Sequence, residues 1–124
     1  MPLNEANFGA ALPVDGYGPG FFRVAGQVHR GGLLIRAEDA APWGGYDDLD
    51  PLLALAGTVD VLFVGTGAQI AYLPKPFAQA LEAAGVMPEA MATPSAARSY
   101  NVLLSEGRRI AAALLVMPGE VPTA

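Results

Sequence analysis

Two short polar stretches hold the side chains best suited to gripping a ligand. They are Gly65-Thr66-Gly67-Ala68-Gln69 and Ala92-Thr93-Pro94-Ser95, with Arg98 one helical turn beyond the second. Each follows a run that reads as a strand, so both become loops at the carboxyl ends of strands, where an open α/β sheet forms its crevice. The second loop also opens a helix, whose unpaired N–H groups and dipole favour an anion. Arg98 adds a charged fork. Thr66, Gly67, Thr93, Ser95 and Arg98 therefore form a candidate crevice for a small acidic ligand. The plainer alternative stays open: Thr93 caps its helix and Arg98 is a solvated surface residue.

Other chemistries have less to stand on. Gly65-Thr66-Gly67 is followed by Ile70 where a dinucleotide fingerprint needs a small residue, and the next helix starts too late to meet a pyrophosphate. No Walker motif is present. His29, the one histidine, lies in a hairpin region with no serine near it, and Ser95, Ser99 and Ser105 lack a nucleophile-elbow context. Asp47, Asp48 and Asp50 lack the glycine and distal glutamate of a calcium loop. With no cysteine, thiol catalysis, disulfides and zinc ribbons are excluded. The sequence nominates no catalytic residue, no cofactor and no metal.

The elements that must position the crevice are built around Val59-Asp60-Val61-Leu62-Phe63-Val64. This run is apolar, β-branched and without alternation, as expected of a strand buried on both faces, and it ends at a glycine turn. Behind it, Pro76 to Ala84 reads as a helix burying Phe77, Ala80, Leu81 and Ala84, stopped by Gly85. Val86 to Ala92 reads as a short strand that Pro88 pushes to an edge. Thr93 to Glu106 reads as a helix with Ala96, Tyr100, Leu103 and Leu104 on one stripe; Val102 falls on the polar side. Arg109 to Met117 is a final strand. The second half is thus β-α-β-α-β.

Ahead of it, Phe21–Val24 and Val28–Ile35 read as a hairpin around Ala25-Gly26-Gln27, with Gly31-Gly32 marking a bulge or a close backbone approach. Gly16 to Gly20 is turn chemistry, and Ala37 to Tyr46 a loop anchored by Trp43. Asp50 caps a short helix with Pro51 at its first position, turning Leu52, Leu53 and Leu55 inward. Residues 1–15 are an N-terminal arm pinned by Phe8, Leu12 and Val14, and 118–124 a tail. The expectation is a single α/β domain: a mixed central sheet, helices packed on it, and an added N-terminal β-hairpin.

Composition narrows the partners. At 124 residues with 52% hydrophobic and 15% charged residues, the chain is unusually apolar for its size. The surplus fits a thoroughly buried sheet or an exposed patch that meets a protein partner, a second copy included. A net charge of −5 argues against nucleic acid and against anionic lipid. The longest apolar run, Ile110 to Met117, is under half the ~20 residues a membrane span needs. Asn4, Glu5 and Asn7, with no basic residue before Arg23, do not resemble a targeting signal, so the expected compartment is the cytoplasm.

Four separated motifs point further. Gly16-Tyr17-Gly18-Pro19-Gly20-Phe21-Phe22-Arg23-Val24, Val61-Leu62-Phe63-Val64-Gly65-Thr66-Gly67, Met91-Ala92-Thr93-Pro94-Ser95-Ala96-Ala97-Arg98-Ser99-Tyr100-Asn101-Val102-Leu103 and Glu106-Gly107-Arg108 stand in that order. Together they resemble a widespread family of small domains of unknown function, whose mitochondrial member is an assembly factor for respiratory complex I (NADH:ubiquinone oxidoreductase). The resemblance covers about residues 14 to 117. It implies a mixed α/β sheet with an added hairpin, no established enzymatic activity, and membrane-complex subunits as partners. Many relatives carry a cysteine where Ala97 stands, so a thiol role there does not transfer. Among the motif positions it singles out Arg98 and Asn101, which lie off the apolar stripe; Asn101 joins the candidate crevice on that basis. Two readings follow: a non-catalytic assembly or interaction protein, or a small anionic-ligand binding domain or weak enzyme using the crevice.

Overall fold

The computed structural model describes residues 9–119. In chain order the strands of the first half are β1 (Gly16–Gly18), β2 (Phe21–Val24), β3 (Gln27–Arg30), β4 (Leu33–Arg36) and β5 (Asp39–Pro42). There follow α1 (Asp50–Leu53), β6 (Val61–Gly65), α2 (Lys75–Ala83), β7 (Pro88–Met91), α3 (Thr93–Ser105) and β8 (Ile110–Leu114). The expected mixed sheet is a five-stranded one, in the order β5-β4-β8-β6-β7. Within it β6 runs parallel to both β7 and β8, while β4 is antiparallel to β8 and β5. The added hairpin is enlarged by β1 into a separate three-stranded antiparallel sheet.

The unbroken apolar run of β6 has the cause expected of it. Leu62 and Val64 face one cluster, with Trp43, Leu52, Phe77 and Leu81 from the loop, α1 and α2. Phe63 faces the other, with Ala96, Tyr100 and Leu104 of α3 and Phe22 and Val24 of the small sheet. β8, the middle strand, is buried along its whole length, and its Ala111, Ala112 and Ala113 alternate between the two clusters. Each fully buried Leu or Phe contributes roughly 1.5–3 kcal/mol by leaving water. β7 is an edge strand, consistent with Pro88.

Several local expectations are corrected. Val28–Ile35 is not one bulged strand but β3 and β4, in different sheets. Of the two readings of Gly31-Gly32 the close backbone approach holds and the bulge does not: Gly31 takes the left-handed φ of +89°, and a side chain on Gly32 would collide with the Trp43 carbonyl, so the glycine pair is a crossing point between sheets. Part of the expected loop 37–46 is β5, which pairs with β4 around Ala37-Glu38 and is clasped by the Arg36–Asp39 ion pair at 3.1 Å. β1 occupies part of the expected turn at Gly16–Gly20. Asp50 lies within α1 rather than capping it, and the preceding Leu49 offers no side-chain cap. Ala84 is exposed past the end of α2, because Phe77 and Leu81 supply that helix's buried face. Asp48 has a structural role: its carboxylate accepts from the Gly44 N–H at 2.8 Å and its carbonyl from the Trp43 indole at 3.0 Å.

In the N-terminal arm, Val14 is buried and Leu12 half-buried against the core; Phe8 lies outside the described residues, as do 120–124 of the tail. No helix among the described residues is long and apolar enough to cross a membrane.

Candidate functional site

The chain ends of β6 and β7 and the start of α3 do come together. Thr66 N–H donates to the Met91 carbonyl at 2.8 Å, and Thr93 N–H to the Gly67 carbonyl at 2.8 Å. The Thr93 hydroxyl, fully buried, accepts from Gly67 N–H at 2.9 Å and donates to the Leu115 carbonyl at 2.7 Å. One hydroxyl thus ties the loop after β6, the start of α3 and the chain leaving β8. The capping role expected of Thr93 is absent: no side-chain cap bond forms at α3. The reason is local. Buried backbone groups of two other segments meet at this point, and a hydroxyl supplies both a donor and an acceptor. Gly65 is required by the same closeness, since a Cβ there would stand 2.7 Å from Thr93 Oγ1 and 2.9 Å from Leu114 Cδ2.

Thr66 is also bonded inward. Its hydroxyl donates to the Gln69 carbonyl at 2.7 Å, with the Met91 carbonyl at 3.1 Å as a second acceptor, and accepts from Ala71 N–H at 3.2 Å. Thr66, Gly67 and Thr93 therefore satisfy one another and their neighbours.

The other candidates stand apart from that network. Ser95 is exposed, and its hydroxyl bonds to no other described residue. Asn101 reaches across to the N-terminal arm, where its amide mimics a strand: Oδ1 accepts from Val14 N–H at 2.8 Å and Nδ2 donates to the Val14 carbonyl at 2.9 Å. Arg98 is exposed and has no ion pair among the described residues. It borders two shallow depressions. One, of about 240 Å³, is shared with Asp15, Tyr17 and Asn101. The other, of about 290 Å³, is shared with Phe63, Ser99 and Leu103.

Beneath α3, Tyr100 is fully buried and donates its hydroxyl to the Leu12 carbonyl at 2.8 Å. Burial raises its pKa well above the ordinary tyrosine value, and the nearby charges of Glu38 and Asp39 push the same way. Arg36 is held protonated more firmly than usual by its hydrogen bond to Asp39. Among the described residues no three acidic or histidine side chains gather as a metal site would need.

One surface escaped the reading of residue types. From the connection 68–74, Ile70 and Tyr72 project into solvent. The signal was present in the apolar run Ile70-Ala71-Tyr72-Leu73, since connections over a surface are ordinarily polar.

The model of the family described as "Protein of unknown function (DUF498/DUF598)" matches residues 14–115, from the buried Val14 to the Leu115 that Thr93 holds. The chain belongs to that family. It is 68% identical to an uncharacterized protein of Rhodobacter capsulatus over 124 residues, covering all of both chains. It is 28% identical over 131 residues to mouse NADH dehydrogenase [ubiquinone] 1 alpha subcomplex assembly factor 3, covering all of this chain and 71% of that one. The DUF498 fold is matched by a Bordetella pertussis Mth938-like domain with a TM-score of 0.76 and 28% identity, over 98% of this chain and 96% of that one.

Proposed function

We propose that the chain is a non-catalytic assembly protein that binds subunits of a membrane-bound complex, respiratory complex I first among them, while that complex is being built. The observation that carries this reading is the similarity to the mouse assembly factor, which spans the whole of this chain rather than one motif. Two features of the molecule agree with it. The hydroxyls of Thr66 and Thr93 and the amide of Asn101 are taken up in holding backbone segments together. Large apolar side chains, meanwhile, stand in solvent: Ile70, Tyr72, Met87 and Val102. The protein works from the cytoplasm, meeting its subunits through such surfaces. Deleting it in a host that makes complex I lowers the assembled enzyme seen on a native gel and slows NADH-linked respiration. Assembly and respiration unchanged by the deletion would refute the reading.

A second reading is favoured by one observation, the exposed guanidinium of Arg98, which has no ion pair among the described residues, beside a groove. Here a small anion binds at Arg98, in the depression it shares with Asn101. An anionic metabolite present at about 100 times its Kd then adds roughly 2.7 kcal/mol to stability. An Arg98→Ala variant loses that gain, and a melting temperature indifferent to every anion tried rejects the reading.

A further inference from the structure

The loop between β6 and α2 does something that connection loops rarely do. Ile70 is 68% exposed and Tyr72 fully exposed, side by side with the half-buried Leu73. Between this loop, α2 and β7 runs a groove of about 590 Å³, floored by Ile70, Tyr72, Leu73, Ala78, Pro88 and Ala90 with Glu82 at its rim. One wall of the groove is β7, an edge strand of the five-stranded sheet. Pairing with β6 engages the carbonyls of Met87 and Met91. Backbone groups of successive residues in a strand point to opposite sides, so the N–H and C=O of Ala90 point away from the sheet. Pro88 offers no donor there, which shortens the open edge without closing it. An unpaired strand edge beside an apolar trough has both parts needed for strand addition: main-chain bonds for affinity and pockets for alternate side chains.

Charge selects the occupant. Glu82 at the rim and Glu89 on the opposite face of β7 are exposed and have no ion pair among the described residues. A second copy joined edge to edge about Ala90 would set Glu89 diagonally across from its own counterpart, and like charges so arranged are repulsive. An incoming strand with apolar residues toward the trough and basic residues toward Glu89 meets opposite charge instead.

We propose that the β7 edge docks an extended segment of a partner protein in which apolar residues alternate with lysine or arginine. This rests on the assembly reading and gives its partner contact a location. The probe is an eight-residue peptide of alternating valine and lysine, titrated into the whole chain and followed by amide NMR. Binding is expected to shift the Ala90 amide and slow its exchange with solvent. Ala90→Pro removes only an outward N–H, and Ile70→Ser with Tyr72→Ser changes only exposed side chains. Both variants should keep the melting temperature while weakening the peptide about tenfold or more, that is by about 1.4 kcal/mol. Equal binding of a valine–glutamate peptide, binding unchanged in both variants, or self-association of the chain through Ile70 and Tyr72 would overturn the proposal. A cellular arm separates it from the reading beneath. If deletion lowers complex I and the Ile70→Ser, Tyr72→Ser double variant restores it fully, the site is refuted and the assembly role survives. If deletion leaves complex I intact while the peptide still binds as described, the assembly role falls and the site stands.

Discussion

Replacing Thr93 by valine tests whether one hydroxyl knits three backbone segments. The side chains are nearly the same shape, so packing changes little and the polar bonds are what is lost. Two backbone groups lose their partner: the Gly67 N–H, in a buried residue, and the Leu115 carbonyl, in a half-buried one. Each orphaned buried group costs roughly 1–3 kcal/mol. Because water can reach the half-buried Leu115 end, the lower part of the summed range applies, about 2–4 kcal/mol. A mere helix cap would cost about 1 kcal/mol. For a chain of this size, with about 4 °C lost per kcal/mol, the melting temperature should fall by roughly 8–16 °C. Urea unfolding followed by the fluorescence of the buried Trp43 measures it directly. Thr93→Ser is the control: it keeps the hydroxyl and drops one methyl, for about 1 kcal/mol. A Thr93→Val protein within about 0.5 kcal/mol of wild type, or a serine variant as unstable as the valine one, would show that the hydroxyl network contributes nothing beyond ordinary packing.

Three further outcomes follow from the same geometry. Gly65→Ala should destabilise by about 1–3 kcal/mol, since the added methyl meets Thr93 Oγ1 and Leu114 Cδ2 inside contact distance; thermal unfolding reads it, and a neutral result is the contrary one. Asn101→Ala frees both backbone groups of Val14, so hydrogen exchange at the Val14 amide should quicken about tenfold while amides in β8 stay protected. For Tyr100, a folded pKa raised above the unfolded value of 10.0 means stability is fully present below about pH 10 and declines as pH rises past it, because the unfolded chain releases that proton first. Tyr100→Phe should flatten most of that alkaline decline in urea titrations between pH 8 and 11, leaving the smaller share from Tyr46, whose pKa burial also raises.

The fold's second half was legible because its physics is carried by runs of residue type. Val61 to Gly65 has no polar partner to alternate with, and β6 proves to be covered on both faces. Proline at 88 signalled the edge, and glycine at 85 and 107 the helix ends, where φ is +84° and +78°. The first half was less legible for a reason the residues also explain. Gly31-Gly32 carries the same composition in a bulge as in a crossing between sheets, and only the Trp43 carbonyl packed against Gly32 decides between them. β5 escaped because Asp39-Ala40-Ala41-Pro42 is an exposed strand with no apolar face to mark it. In the candidate site the adjacency of the Thr66–Gly67 and Thr93 ends was readable from the β-α-β order. The direction in which Thr93 points was not, because a threonine at a helix start serves a cap or a distant carbonyl with identical sequence. Asn101 was drawn out by resemblance alone; its partner Val14 stands 87 residues away, beyond any local pattern.

The three alanines of β8 have a consequence for how the molecule tolerates change. They are the smallest side chains that still fill a strand, and a hydrophobic cluster closes over each face of it. Truncation at the middle of the slab therefore has almost nothing to remove, while each added methylene must pry one layer from the sheet. Variation there is one-sided: Ala112→Gly is a mild injury of local flexibility, and Ala112→Leu would push α3 outward and carry the exposed Arg98 and Val102 with it.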